Sequence, residues 1–402
     1  MAMSRAERRR AEKLAKKNNP SAGAALADVQ AILERASNDM QAGRLKQALS
    51  GLEQVLKLQP ERNDLRVAAG TICVDLTDFE KASAHYGAVV ENEPNNVKAQ
   101  FGLALSLKSC GDFEPAAKAA RIAVELSNNA AEPLRLLIEL LWVLGDTKDI
   151  PDLCRKLLVH EPHRTDTAMF EGMAYYHQGE REKGRAVFAF DDLVEVHDLE
   201  APEGYADMKA FNKALADHIV DHPTMAVPDK DHPTYHNDQL NITRELVGPN
   251  AHDDAGPVAV LEAMIAAKVD DYLTRKRAEL DHDFIKRWPE KSRLTAWGTL
   301  LKGRGNLVSH IHLDGYLGMV YYPELPPEMQ ADEANSGEDQ RGFLQLGDPP
   351  EDFPVAVEPD TYTIQPKEGR LIMFPGCFFH RTVPFESKDR RISIAFDVVA
   401  EK

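Results

Sequence analysis

Three polar side chains alternate in the run SHIHLDGY: His310, His312 and Asp314. In an extended strand residues two apart face the same side, so these three converge on one point. His380 lies 68 residues after His312, at the end of RLIMFPGCFFH. Two imidazoles and a carboxylate closing one face of a metal, with open positions opposite, suit ferrous iron. Fourteen histidines make that pattern weak by itself. The segment after His380 strengthens it, because Arg391 and Ser393 come eleven and thirteen residues later in RRISIAF, on one strand face. A guanidinium offers a planar fork to a carboxylate, and a neighbouring hydroxyl donates to the same group. A metal chelator that keeps a distal carboxylate, such as 2-oxoglutarate, requires that pairing. An arginine buried without such a partner is costly.

The elements that must position these residues are short strands. Beyond Leu294 the chain reads as apolar runs split by Gly and Pro: RLTAWGTLL, LVSHIHL, YLGMVYYPEL, GFLQLG, GRLIMFP and RISIAFDVV. Such spacing predicts an antiparallel barrel or sandwich. A helix is expected over roughly residues 257 to 279, and the acidic stretch 328 to 341 reads as a mobile loop and candidate lid.

Upstream the period changes from 2 to 34. Gly43, Thr77, Gly111, Gly145 and Gly179 are each separated by 34 residues, as are Ala48, Ala82, Ala116, Ile150 and Gly184, and Ala36, Gly70, Ala104, Ile138 and Gly172. Pro60, Pro94, Asn128 and Pro162 mark where each unit stops. The content is a helix, a turn and a second helix, with small residues where helices cross and proline ending the second one. The period fades near residue 195, where His, Pro and Asp become dense. Three segments are therefore expected: a basic arm over 1–25, about five helical repeats over 26–198, and a strand-rich domain over 199–402.

A chain of 402 residues exceeds one core, which agrees with more than one unit. No apolar run approaches the roughly 20 residues needed to cross a bilayer, and no apolar stretch comes after the basic start. Membrane spanning and classical secretion are both disfavoured. A net charge of −17 repels nucleic acid and anionic lipid over most of the surface. The exception is the arm, where Arg5, Arg8, Arg9, Arg10, Lys13, Lys16 and Lys17 face only Glu7 and Glu12. It reads as a solvated basic helix, with contact to nucleic acid or ribosome as the alternative. Cys73, Cys110, Cys154 and Cys377 form no CxxC pair, which fits a reducing cytoplasm.

The first half resembles the tetratricopeptide repeat, with GRLKQALSGLEQVLKLQP, TDFEKASAHYGAVVENEP and GDFEPAAKAARIAVELSN as its clearest copies. The second resembles the 2-oxoglutarate-dependent Fe(II) oxygenases that often carry such repeats upstream. That likeness rests on LTAWGTLLKGRGNLVSHIHLDGYLGMVYYPELP, on GFLQLGDPP and above all on EGRLIMFPGCFFHRTVPFESKDRRISIAFDVV, and covers most of residues 205 to 400. The resemblance implies a double-stranded β-helix, or jelly-roll, holding Fe(II) and consuming 2-oxoglutarate and dioxygen to give succinate and carbon dioxide. Relatives read His-Ile-His-Pro and then Trp-Leu-Ser-Gly-Val-Tyr-Tyr, whereas this chain carries Leu313, Asp314, Gly318 and Met319. Two ligand sets therefore stand open: His312, Asp314 and His380, or His310, His312 and His380. Tyr322 matches the family's second tyrosine, whose phenol bonds to the co-substrate's carboxylate, with core packing as the competing role.

The function these residues lead to is a dioxygenase, expected to hydroxylate a peptide or protein held near the groove of the repeats. Arg391, Ser393 and Tyr322 bind the co-substrate in that reading. Two readings compete with it: a repeat scaffold whose barrel is catalytically idle, and a cupin-like metal enzyme that needs no keto acid.

Overall fold

A computed structural model describes residues 20–228, 240–248, 251, 256–303, 305–330, 340–351 and 353–401. The expected basic arm, apart from its last six residues, and most of the acidic loop lie outside the described residues. The chain divides into two compact units at Leu144/Gly145. Among the described residues the first unit is all-helical: α1 (Pro20–Gln41), α2 (Leu45–Leu58), α3 (Asn63–Asp75), α4 (Phe79–Asn92), α5 (Val97–Cys110), α6 (Phe113–Leu126) and α7 (Ala131–Val143). Apolar residues at helical spacing, such as Ala48, Leu49, Leu52, Val55 and Leu56 of α2, join a core that runs from Val29 of α1 to Ala99 of α5. The 34-residue register is a register of left-handed turns, with φ of +71° at Gly43, +58° at Thr77, +85° at Gly111, +69° at Gly145 and +75° at Gly179. Glycine enters that region without strain, and at Thr77 a β-branched residue is held there.

The second unit opens with α8 (Ile150–His160), α9 (Thr165–His177), α10 (Arg181–Phe188) and α11 (Phe190–Leu193). It continues through β1 (Glu195–Asp198), α12 (Met208–Val220), β2 (Leu240–Ile242), α13 (Pro257–Glu279), α14 (Asp283–Lys286), β3 (Ser292–Leu301), β4 (Gly315–Glu324), β5 (Leu344–Leu346), β6 (Tyr362–Ile364), β7 (Arg370–Pro375), β8 (His380–Thr382) and β9 (Arg391–Ala400). A six-stranded sheet runs β1-β7-β4-β9-β3-β2, and a three-stranded sheet runs β6-β5-β8. The boundary expected at 198/199 therefore differs from the observed division. Side chains explain the difference, since the last repeat helices are bonded to the sheet-bearing part. Asp360 receives the Tyr176 hydroxyl at 3.0 Å and both Arg181 and Arg185 at 2.6 Å. Tyr272 of α13 donates to the Leu193 carbonyl at 3.0 Å. Periodicity reports how a helix pairs with its sequence neighbour, and these long-range bonds leave no trace in it.

Alternation decides what each strand presents. In β9, Ile392, Ile394, Phe396 and Val398 enter the core with Phe211, Leu215 and Ile219 of α12 and Leu261, Ile265 and Tyr272 of α13. Arg391, Ser393 and Ala395 line a cavity on the opposite face. Beside the core, Glu195 of β1 takes Arg275 at 2.7 Å and Lys276 at 2.9 Å, which ties α13 to the sheet edge.

Candidate functional site

The cavity encloses about 480 Å³ and is walled by β3, β4 and β9 of the large sheet and by β5 and β8 of the small one. His310, His312 and His380 meet on its wall, each offering a ligand nitrogen within 4.8 Å of the others. Their ring centroids lie 4.3 Å (His310–His380), 4.7 Å (His312–His380) and 5.3 Å (His310–His312) apart. Backbone pairing sets this convergence. His310 and His380 exchange amide bonds of 3.1 and 3.0 Å, and the His312 amide donates to the Gly376 carbonyl at 3.3 Å.

Hydrogen bonding fixes the tautomers. The His310 Nδ1 lies 2.8 Å from the Val308 carbonyl, and the His380 Nδ1 lies 3.0 Å from that of Phe378. A carbonyl oxygen only accepts, so each Nδ1 carries the proton and Nε2 keeps the lone pair a cation needs. His312 is held the same way by a carboxylate, its Nδ1 donating to Asp397 at 2.7 Å. Three imidazoles presented through Nε2 form a donor set that suits a divalent transition metal.

The structure leaves Asp314 out of this group. It is exposed, and its charge is felt at Arg164. The carboxylate that does touch the cluster is Asp397, 5% exposed, which was not among the residues expected from sequence. A signal for it existed, since Asp397 lies six residues beyond Arg391 and so on the same strand face. Trp297 also stands beside the cluster, its ring centroid 5.3 Å from that of His312.

Arg391 is 2% exposed, yet among the described residues no carboxylate pairs with it. Its Nη1 donates to the Ser393 hydroxyl at 3.3 Å, and its guanidinium carbon stands 5.0 Å from the centroid of the Tyr322 ring. The Arg391 Nε and the fully buried Tyr322 hydroxyl make no well-formed hydrogen bond. Two under-bonded polar groups around a buried cation are what an entering carboxylate would satisfy. Tyr321, its neighbour in sequence, points away and donates to Asn212.

Electrostatics are set by burial. Burial and the two neighbouring imidazoles push His380 well below the ordinary histidine range, which keeps it neutral and ready to bind a metal. Burial also opposes charge on His312, but the charge and hydrogen bond of Asp397 together outweigh it and raise that pKa. Burial lowers Arg391 from its usual value, with Tyr322 opposing.

No curated protein sequence matches the chain. Among solved structures, a crystal structure of MamA protein is 16% identical, covering 40% of this chain and 87% of that one with a TM-score of 0.37. YrrB, described as a TPR protein with an unusual peptide-binding site, is 19% identical, covering 45% of this chain and 91% of its own with a TM-score of 0.38. Residues 295–397, about a quarter of the chain, match the model of a family described as "Putative 2OG-Fe(II) oxygenase". That segment runs from within β3 to within β9 and includes all three clustered histidines, Arg391 and Asp397, so this part of the second unit is similar to a putative 2OG-Fe(II) oxygenase domain.

Proposed function

We propose that the second unit is an Fe(II)- and 2-oxoglutarate-dependent dioxygenase that hydroxylates a peptide or protein, with its two sheets forming a double-stranded β-helix. The observation that carries this reading is one cavity holding both a three-imidazole cluster and a buried guanidinium with no acidic partner among the described residues. His310, His312 and His380 hold the cation through Nε2. Arg391 and Ser393 grip the distal carboxylate of the co-substrate, and the Tyr322 phenol donates to the same group. Apolar walls at Met319, Val320 and Phe374 exclude water from the bound chelator. Bound there, ferrous iron with 2-oxoglutarate and dioxygen supplies the oxidising power for hydroxylating a C–H bond.

The hairpins of the first unit are the candidate surface for a peptide partner, as stacked helical repeats commonly are. Cys73, Cys110, Cys154 and Cys377 form no disulfide, which supports a reducing, cytoplasmic setting. Among the described residues no helix is long and apolar enough to cross a membrane.

Succinate release with iron and 2-oxoglutarate, compared between wild type and His380→Ala, tests the reading. Release is expected from wild type alone, and equal values would leave a scaffold with an idle barrel. One observation favours a second reading: three imidazoles with no carboxylate in the cluster among the described residues also suit a cupin-like metal enzyme without a keto acid. That reading leaves Arg391 without a counter-ion. Failure of 2-oxoglutarate to raise the unfolding temperature of metal-loaded protein would favour it.

A further inference from the structure

We propose that Thr165, the first residue of α9 and part of the last helical repeat, is a positioning residue for the metal ligand His312. The inference rests on the metal reading above. Residues 305–314 form an irregular loop between β3 and β4, with no ladder of backbone bonds to fix His312. Its position depends on individual contacts instead. The Thr165 hydroxyl lies 2.6 Å from the His312 carbonyl and 3.1 Å from that of Leu313, so one proton is shared between two successive carbonyls 147 and 148 residues away. Thr165 is 4% exposed, which shields these bonds from competing water.

Three groups thus hold one ligand. Gly376 receives the His312 amide, Asp397 receives the ring, and Thr165 binds the carbonyl. The seat is close-packed, because a Cβ at Gly376 would stand 3.4 Å from the Thr165 methyl group and 1.7 Å from the Gly315 carbonyl oxygen. Neighbouring contacts hold the turn before α9 against the start of β4. His163 meets the Tyr316 ring edge-on at 5.7 Å, and the Tyr316 hydroxyl donates to the Phe284 carbonyl at 2.7 Å. Thr165 touches neither metal nor co-substrate and acts through the His312 backbone. The last repeat is thereby a component of the metal centre.

The test titrates full-length, metal-free protein with Co(II) alone and monitors its visible ligand-field absorption. Wild type, Thr165→Val, Thr165→Ser and His312→Ala are compared. Losing an outer partner of a metal ligand typically costs 10–100-fold in metal affinity. Thr165→Val, which keeps the shape and loses the hydroxyl, is expected to weaken Co(II) about tenfold and to alter the band shape, while Thr165→Ser restores both. Wild-type affinity and spectrum in Thr165→Val would overturn the inference and leave the hydroxyl a merely structural role. Thr165→Ala carries the same comparison if the valine variant does not fold. If wild type takes up no Co(II), or His312→Ala binds it equally well, the metal reading itself falls, and the positioning role falls with it.

Discussion

Replacing Arg391 by methionine separates the needs of the fold from those of the ligand. The guanidinium is buried, its Nε makes no hydrogen bond, and burial lowers its pKa with only Tyr322 in opposition. A buried charge lacking an ionic partner costs stability, and replacing buried ionic groups with apolar ones of similar volume has stabilised other proteins by about 1–4 kcal/mol. Ligand-free Arg391→Met is therefore expected to unfold at a higher temperature than wild type, by about 2–4 °C for each kcal/mol in a unit of this size. Co-substrate binding moves the opposite way. Two hydrogen bonds from a charged donor are worth about 1.5–3 kcal/mol each, so their loss weakens 2-oxoglutarate by roughly 10²–10⁴-fold. Thermal unfolding of metal-loaded protein with and without 2-oxoglutarate reads both effects in one experiment. A variant less stable than wild type without ligand, or one still stabilised by 2-oxoglutarate, refutes the argument that this arginine waits for a carboxylate.

Asp397→Asn keeps an acceptor for the His312 Nδ1 but removes its charge, so affinity for Mn(II) measured by calorimetry should fall about tenfold with little change in fold. Gly376→Ala places a Cβ 1.7 Å from the Gly315 carbonyl oxygen, and the backbone must move. Urea unfolding should show a loss of about 1–3 kcal/mol, and metal affinity should fall with it. Glu195 carries a pH prediction. Burial alone would raise its pKa, but Arg275 and Lys276 overcome that and bring it to about 2 from an ordinary 4.5. A depressed carboxylate stabilises the fold above its unfolded pKa and loses that contribution as pH falls toward 2. Glu195→Gln should therefore cost roughly 3 kcal/mol at pH 7 and progressively less below pH 4.5, as read from urea midpoints across that range.

How much of this was legible depends on how local each signal is. Arg391 and Ser393 were readable because β9 is a regular strand in which residues two apart share a face. The same rule misleads at Asp314. It assumed that SHIHLDGY is extended throughout, whereas β4 begins only at Gly315 and the chain turns outward at Leu313 and Asp314, both exposed. Alternation holds from His310 to His312, where the backbone bonds to His380 and Gly376, and fails once that pairing stops. The repeat turns were legible because a left-handed residue recurs at a fixed spacing. Thr165 carried no signal, since nothing in its surroundings foretells a carbonyl 147 residues away.

One strand sets both ends of the candidate site. Arg391 and Ser393 on β9 line the cavity and form the anion pocket of the proposed reading, and Asp397 on the same strand bonds the His312 ring. The alternate residues Ile392, Ile394, Phe396 and Val398 are locked into the core beneath. A slip of one residue would turn the polar set into the apolar core and the apolar set toward the cavity, so the core fixes the register by which the site is spaced. The spacing between Arg391 and Asp397 is then set by the ladder, with Leu301↔Arg391 and Thr295↔Asp397 paired across β3. In the proposed reading, a spacing of Arg391 from Asp397 that the ladder fixes favours a chelator of one length over longer or shorter dicarboxylates.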